Sequence, residues 1–281
     1  MKTILIPVDF SEPSNNAVNY AVGLSNNQNL SQIILFANFY ITLFEQIYPS
    51  ADFVQLNEDD ILKQKDLLQG KLEKLKSQIQ KKLNQDISIK VALTEAPLLR
   101  GILEIIEQEN PDALFLGSNN HDGEISNIGN SMIEIAKVSP IPVFIVPPKA
   151  TYEPVKNALV ACDFKTLNHV SLLQRLHSIK HWPHPKLTLL NVDPANKHLL
   201  PEHPELEIKG MLSEILQGYD YELQYSTDKD ILNGVLTFAD QHKQQMIIAL
   251  PGVHSFLYSL THNSITEGLS TDANKPVLIL K

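Results

Sequence analysis

The chain repeats itself, and this internal repeat is the feature that most restricts its fold. The stretch "ILIPVDF" from Ile4 returns as "ALVACDF" from Ala158, so that Asp9 and Asp163 occupy equivalent positions. Near the end of each copy, "NSMIE" is matched by "NSITE" and "PVFIVP" is matched by "PVLILK". A self-similar arrangement of this length predicts two copies of one domain.

The two copies are predicted to span residues 1–148 and 155–281, around a proline-rich, aperiodic linker at residues 147–156. In each copy short β-branched runs alternate with helical patterns, which is typical of a parallel sheet covered on both faces. We therefore predict an α/β fold of two tandem doubly wound domains, each a five-stranded parallel sheet with helices on both faces. The predicted strands cover residues 3–8, 32–37, 87–93, 113–116, 143–146, 158–161, 186–191, 221–225, 246–250 and 277–280, and the predicted helices of the first copy cover residues 13–25, 58–84, 98–109 and 131–138.

Composition excludes several classes of protein. The net charge of −9 argues against a surface that coats nucleic acid, which would carry a basic excess. The single cysteine, Cys162, excludes an internal disulfide framework and a cysteine-rich metal site. No apolar run has the length of a membrane span or of a signal peptide. The expected compartment is the cytoplasm, with no nucleic-acid or membrane partner.

Candidate functional residues follow strands one and four of the first copy. In open α/β sheets, ligands bind beyond the carboxyl ends of the strands. Asp9 ends the first strand, and the loop "LGSNNHDGEISNIGNSMIE" follows the fourth strand. This loop contains Gly117 and Gly129 just before a predicted helix, where backbone N–H groups can hold phosphate. Ser131 and Glu134 have the spacing of a capping box, which would satisfy that helix without a ligand.

Taken together, "PVDFSE", "LGSNN…IGNS" and "PIPVFIV" resemble the universal stress protein family, and the resemblance extends over both copies. It implies the fold predicted above and a regulatory or protective role without efficient catalysis. In the members of that family that bind ATP, an Asp after strand one contacts adenine. A loop of the pattern G-x2-G-x9-G-[S/T] holds the phosphates.

The resemblance transfers to this chain only in part. Asp9 matches the adenine-contacting Asp, and Gly117 and Gly129 match the first and third glycines of the loop. Asn120 replaces the second glycine, and the loop is one residue short. Asn130 stands where Ser or Thr is expected, and Ser131 follows one position later. The resemblance thus implies a degraded site for ATP with Mg²⁺ in the first copy, formed by Asp9, Gly117, Asn120, Gly129, Asn130 and Ser131.

The second copy departs further from the ATP-binding pattern. Leu250, Val253 and Asn263 stand at the three glycine positions, and Pro251 has no N–H to donate. Elsewhere in this copy, the pair of histidines in "HWPHP" lacks an evident third metal ligand. No catalytic motif is found in either copy, so the chain is not predicted to be an enzyme.

Three hypotheses for the function remain open. The first is a stress-response regulator with a weakened adenine-nucleotide site in the first copy. The second is an interaction scaffold that binds protein partners, and the third is a slow ATPase or an autophosphorylating protein. In this family domains commonly pair through the last strand, so the resemblance implies an intramolecular pseudo-dimer, with a homodimer as a further possibility. The apolar, aromatic insertion at residues 39–56 is expected to pack on the other copy, with a lid or a partner site as alternatives.

Overall fold

The computed structural model describes residues 1–39, 58–119, 126–162, 171–179, 182–196, 205–250 and 275–280. The strands are β1 (Thr3–Pro7), β2 (Gln32–Asn38), β3 (Ser88–Thr94), β4 (Ala113–Gly117), β5 (Val143–Val146), β6 (Asn157–Ala161), β7 (Lys186–Val192), β8 (Tyr221–Ser226), β9 (Met246–Ala249) and β10 (Val277–Ile279). The helices are α1 (Glu12–Asn27), α2 (Glu58–Lys82), α3 (Leu98–Glu109), α4 (Asn127–Asn130), α5 (Met132–Val138), α6 (Glu205–Ile215) and α7 (Ile231–Gln241), with a 3₁₀ helix at Ser171–Ser178.

All ten strands form one sheet, in the order β3-β2-β1-β4-β5-β10-β9-β6-β7-β8. The first five strands are parallel to one another, and so are the last five. Strands β5 and β10 meet antiparallel at the centre, where Val277 pairs with Ile145 and Ile279 pairs with Val143. The sheet is therefore two five-stranded parallel halves joined edge to edge, which confirms the predicted α/β fold class.

Apolar residues of the strands alternate between the two faces of the sheet. In β1, Ile4 and Ile6 join one buried cluster, while Leu5 joins a second. Helix α1 covers the first cluster and helix α3 covers the second, so both faces are buried against helices. This two-sided burial explains why the strands are continuous apolar runs. In the described part of the chain, every helix falls short of the length or the apolar character that a membrane-spanning segment needs.

Most predicted elements lie where the sequence placed them. Every strand begins and ends within one residue of its predicted bounds. Helix α1 is slightly longer than predicted because Ser11 caps its N terminus through a bond from the N–H of Ser14, and Pro13 fits within its first turn. The insertion at residues 39–56 lies outside the described residues except for Phe39, whose N–H bonds to the carbonyl of Thr94.

The helix predicted over residues 131–138 is present as α5 (Met132–Val138), but the short helix before it was not predicted. The chain turns helical earlier, at α4, and α5 follows after a break at Ser131. Ser126 is the N-cap of α4, whereas Ser131 makes no capping bond through its side chain. The capping box predicted at Ser131 and Glu134 is therefore absent. Ser131 has φ −92° and ψ 4°, in the bridge region and not in the extended region typical of an N-cap, because the chain reaches it directly from α4.

The linker is folded onto the first half of the sheet. Tyr152 packs so closely on Gly23 of α1 that a Cβ at Gly23 would lie 2.7 Å from the Cβ of Tyr152. The carbonyl of Pro147 accepts a bond from the side chain of Asn16 at 2.8 Å. Across the junction of the halves, the Trp182 ring lies 6.1 Å from the Phe144 ring, measured between centroids. Side-chain packing thus continues from one half into the other.

Candidate functional site

Asp9 is the centre of a hydrogen-bonded cluster at the carboxyl edge of the first half. Its Oδ1 accepts the backbone N–H of Ser11 at 3.1 Å and the Ser11 hydroxyl at 2.5 Å. Its Oδ2 accepts the Ser126 hydroxyl at 2.7 Å and the N–H of Ile128 at 3.4 Å. One carboxylate therefore joins the start of α1 to the start of α4. Both of its oxygens are used within the chain.

The backbone beside Asp9 is constrained. Phe10 has a φ of 63°, which is uncommon for an aromatic residue. Asn15 helps to hold this turn, because its Nδ2 donates to the carbonyl of Phe10 at 3.1 Å. Lys71 of α2 lies 5.7 Å from the centre of the Phe10 ring. The turn sends the chain directly from β1 into α1 and fixes the Asp9 side chain toward α4.

The N-terminal turn of α4 is satisfied by side chains of this chain. The Ser126 hydroxyl accepts the N–H of Gly129 at 2.9 Å while donating to Asp9. The N–H of Ile128 is directed to Asp9, and the N–H of Asn130 bonds to the carbonyl of Ser126. The N–H groups of Ile128 and Gly129 are donors that a helix N terminus would otherwise offer to phosphate, whereas that of Asn130 makes the first backbone bond within the helix.

Asn119 closes the loop from the other side. Its Oδ1 accepts the N–H of Ser126 at 3.1 Å, and its Nδ2 donates to Oδ1 of Asn130 at 2.7 Å. The carboxamide also fills the space beside Gly129. A Cβ at Gly129 would lie 2.1 Å from Oδ1 of Asn119. The glycine is required by this contact inside the protein.

Gly117 has a packing role as well. It is the last residue of β4, and a Cβ there would lie 2.0 Å from the carbonyl oxygen of Pro13 in α1. The glycine therefore lets α1 approach the end of β4. The next residue, Ser118, is 1% exposed, and its hydroxyl has no hydrogen-bond partner among the described residues. Neither observation requires a ligand at Gly117.

The electrostatics of Asp9 follow from this cluster. Burial raises the pKa of its carboxyl group, but the hydrogen bonds from Ser11, Ser126 and Ser14 outweigh burial and hold the pKa below its ordinary value. Asp9 is therefore ionised at neutral pH. Its negative charge is balanced by donated hydrogen bonds, because no cation contacts it in the described part of the chain.

The structure brings most of the predicted site residues together. Asp9 and Gly129 are both bonded to Ser126, and Asn130 is bonded to Asn119. Gly117 ends the neighbouring strand, and Ser131 closes α4 through its backbone N–H. Asn120 lies outside the described residues, so the replacement of the second loop glycine has no structural account.

The arrangement does not fit ATP as it stands. An adenine contact would need an oxygen of Asp9 that now accepts a bond from Ser11 or Ser126. Phosphate contacts would need the N–H groups of Ile128 and Gly129, which are bonded to side chains of the chain itself. For a metal, no three His, Cys, Asp or Glu side chains converge anywhere in the described ranges.

Two residues that organise the site, Ser126 and Asn119, were missed from the sequence. Ser126 carries a local signal, because a Ser one position before an Asn-Ile-Gly turn is a favoured N-cap. Asn119 has no such local sequence signal, because its hydrogen bond is made with Ser126, seven residues later in the chain. Backbone reversals of this kind are not encoded in the spacing of glycines.

The other predicted features of the second copy are only partly described. Asp163, Val253, Asn263 and the first histidine of "HWPHP" lie outside the described residues. Leu250 is described, and its side chain is buried at the end of β9. In the described ranges, Cys162 is half-buried and not in a disulfide bond.

Comparison of the sequence with known families identifies the family of the first half. The model of the Universal stress protein family matches residues 1–147 of the chain. No curated protein sequence matches at a significant level. The matched segment contains β1 to β5 and every residue of the candidate site.

Two of the matching solved structures share the fold over the whole chain. A universal stress protein from Archaeoglobus fulgidus DSM 4304 is 16% identical, with a TM-score of 0.67 over 99% of this chain and 98% of its own. A protein from Pseudomonas aeruginosa UCBPP-PA14, assigned to the same family, is 12% identical, with a TM-score of 0.55 over 100% of this chain and 93% of its own. A universal stress protein solved in complex with cAMP is 14% identical, with a TM-score of 0.36 over 52% of this chain and 95% of its own.

Proposed function

Because this chain belongs to the universal stress protein family, we propose that it is a stress-response regulator that acts through protein contacts and binds adenine nucleotide weakly at most. The observation that carries the proposal is the closed state of the first-half site. Both oxygens of Asp9 and the N–H groups of Ile128 and Gly129 are bonded within the chain. A nucleotide must first displace Ser126 and Asn119, and the cost of breaking those bonds is subtracted from its affinity.

Calorimetric titration with ATP and Mg²⁺ tests this proposal. We expect the wild-type protein to bind no tighter than about 1 mM, or about −4 kcal/mol. A double variant, Asn119→Gly with Ser126→Gly, removes the two side chains that close the site. Glycine is tolerated at an N-cap at a cost of a few tenths of a kcal/mol, so the variant is expected to fold.

The double variant should bind ATP about tenfold more tightly than the wild type, since about 1.4 kcal/mol of internal hydrogen bonding no longer competes. Adding Asp9→Ala to it is the matched control and should abolish the gain. Micromolar binding by the wild type would contradict the closed site. An unchanged affinity in the double variant would show that Ser126 and Asn119 do not obstruct the ligand.

We also propose that residues 1–148 and 155–281 form the two domains and pair as an intramolecular pseudo-dimer in the cytoplasm. The antiparallel pairing of β5 with β10 supports this proposal, because each closing strand uses the free edge of the other. Light scattering over a range of concentrations should then give the mass of one chain. A concentration-dependent dimer would show that another surface also associates.

The slow ATPase and autophosphorylation remain hypotheses. Hydrolysis by the purified protein should be assayed beside Asp9→Ala and Gly129→Asp, which alter the carboxylate and the glycine bonded to Ser126. Activity that survives both substitutions would come from a contaminant. Activity lost with either one would assign catalysis to this site.

A further inference from the structure

A cavity lies where the two halves of the sheet meet, and Asp9 is not among the residues that line it. It has a volume of about 440 Å³. Its walls come from α1, from the linker, from the turn that follows α7 and from the residues before β10. The lining residues are Tyr20, Lys149, Ala150, Thr151, Glu153, Lys243, Gln244, Gln245, Lys275 and Pro276. We call this space the seam cavity.

The position of the seam cavity follows from the sheet. Strand β5 ends at Val146 and leads into the linker, whereas Lys275 and Pro276 precede the start of β10. Because β5 and β10 are antiparallel, the end of one lies beside the start of the other. Strand β9 is parallel to β10, so the residues before β9 reach the same edge. The linker is held there by backbone N–H groups of Lys156 and Asn157, which donate to Oε1 of Gln245.

The cavity is cationic although the protein is acidic. Lys149, Lys243 and Lys275 line it together with one carboxylate, Glu153. Lys275 is paired with Asp240. Neither Lys149 nor Lys243 forms an ion pair with any described residue. The three ammonium groups outnumber the carboxylates of Glu153 and Asp240, so the concave site keeps a positive excess that attracts anions although the whole chain has a net charge of −9.

The two unpaired lysines also occupy positions where lysine is unusual. Lys149 has a φ of 61°, in a turn closed by the N–H of Ala150 on the carbonyl of Pro147. Lys243 has a φ of 49°, just beyond the end of α7. Both are left-handed positions that favour glycine or asparagine. Glycine can therefore replace each lysine without opposing the backbone.

Tyr20 supplies an uncharged donor to the seam cavity. The residue is only 2% exposed, and it lines the cavity. Its ring packs edge-on against Tyr152 at 5.5 Å between centroids. Burial raises the pKa of Tyr20, and the nearby Tyr152 and Glu153 raise it further, so the hydroxyl stays protonated. The hydroxyl is therefore a protonated donor on a residue that lines the cavity.

We propose that the seam cavity binds a small phosphate-bearing anion, which the ammonium groups of Lys149 and Lys243 attract and to which the Tyr20 hydroxyl donates. Lysine binds phosphate as a point charge, and a protonated phenol donates to a phosphate oxygen. The site draws on both halves of the sheet and on the linker. A bound anion would therefore tie the two halves together at their junction.

Calorimetric titration of the full-length protein with inorganic pyrophosphate, at low ionic strength, tests the charges. Lys149→Gly with Lys243→Gly should weaken binding about tenfold or more, as two solvent-accessible charge pairs are lost. The charge-matched control is Lys74→Gln with Lys81→Gln on α2, two exposed lysines remote from the cavity. The control should leave the affinity within about twofold of the wild type. Equal losses in both variants would overturn the site, because binding would then follow net charge alone.

Tyr20→Phe tests the hydroxyl. It keeps the ring and its packing on Tyr152, so thermal stability should be unchanged while pyrophosphate binding weakens by several-fold. Asp9→Ala should leave pyrophosphate binding unaltered, which separates this cavity from the nucleotide site. Undetectable heat with pyrophosphate at millimolar concentration, or full binding by Tyr20→Phe, would overturn the proposal.

Discussion

The two halves of the sheet have the same strand order. They differ at the end of the fourth strand of each half, which lies next to the central pair β5 and β10. In the first half this strand is β4, and its last residue is Gly117, against which the Pro13 carbonyl of α1 packs directly. In the second half the strand is β9, and Leu250 follows it with a side chain that is 2% exposed and part of the apolar core. At this equivalent position, the first half has a glycine in contact with backbone, and the second half has a leucine side chain in the apolar core.

The difference shows that the strands and the loop are separately constrained. Buried apolar runs suffice to build the parallel sheet in both halves, since the strand registers are alike. Gly117 and Gly129 of the first half are needed for close contacts within the protein itself. A glycine in a loop of this kind is therefore weak evidence for a ligand unless the space beside it is open.

Each half also has a glycine at the same position of an equivalent helix that packs on the sheet. Helix α3 begins "LLRG" and helix α7 begins "ILNG", so Gly101 and Gly234 stand at the same position of equivalent helices. Each glycine faces the sheet. A Cβ would lie 2.6 Å from Thr94 at Gly101, but 3.1 Å from Asp228 at Gly234. The approach of helix to sheet is tighter in the first half.

Gly117→Leu would make the first half resemble the second, and its effect should be the largest. The side chain cannot fit beside the Pro13 carbonyl, so α1 must move away from β4. We expect a loss of at least about 3 kcal/mol in the free energy of unfolding, measured by urea denaturation. A loss below about 1 kcal/mol would show that α1 can shift freely, and the contrast between the halves would disappear.

Asp9→Asn should have the next largest effect. It leaves the size of the side chain unchanged but removes the charge that accepts bonds from Ser11 and Ser126. A loss of about 2 kcal/mol is expected at neutral pH, because hydrogen bonds to a charged group are lost. Asp163→Asn, at the equivalent sequence position, is the comparison. A similar loss in that variant would indicate that both copies keep the same cluster.

Gly101→Ala and Gly234→Ala compare the two helix contacts. Alanine gains about 1 kcal/mol of helix propensity at either position. At Gly101 the added methyl group collides with Thr94 and Phe36, so we expect a net loss of about 1 kcal/mol. At Gly234 the gain in helix propensity and the cost of crowding the added methyl group should nearly cancel, so the free energy of unfolding should change little. Chemical denaturation of both variants measures the difference, and a greater loss at Gly234 would reverse the comparison.

The last comparison concerns the pH dependence of stability that Asp9 contributes. Its pKa is lower in the folded than in the unfolded chain, so its stabilising contribution is present above the unfolded pKa and is lost as pH falls through the folded pKa. The stability difference between wild type and Asp9→Asn should be constant above about pH 5 and shrink below about pH 4. Unfolding curves at several pH values measure this difference. A difference that persists undiminished at pH 2 would assign the effect to shape instead of charge.

The strands were predictable because burial on both faces leaves only apolar residues in a parallel strand. Ile4 to Ile6 and their equivalents need no tertiary information to be recognised. The start of α4 was not predictable in the same way. Ser131 and Glu134 have the local sequence pattern of a capping box. The side chain that caps the helix is nevertheless Ser126, because Asp9 and Asn119 hydrogen-bond to it from distant positions in the sequence. Packing between separate segments decided the cap, and the local motif did not.

The antiparallel junction of β5 with β10 has a consequence for how the two copies can change. If two separate copies of one chain met through these strands, the two chains would be identical. Any substitution would therefore appear on both sides of the junction. Covalent linkage makes the encounter intramolecular and independent of protein concentration. Each copy can then accumulate its own substitutions while the other holds it in place, as Gly117 and Leu250 illustrate. Having both copies in one chain is what permits one half of this molecule to specialise without the other.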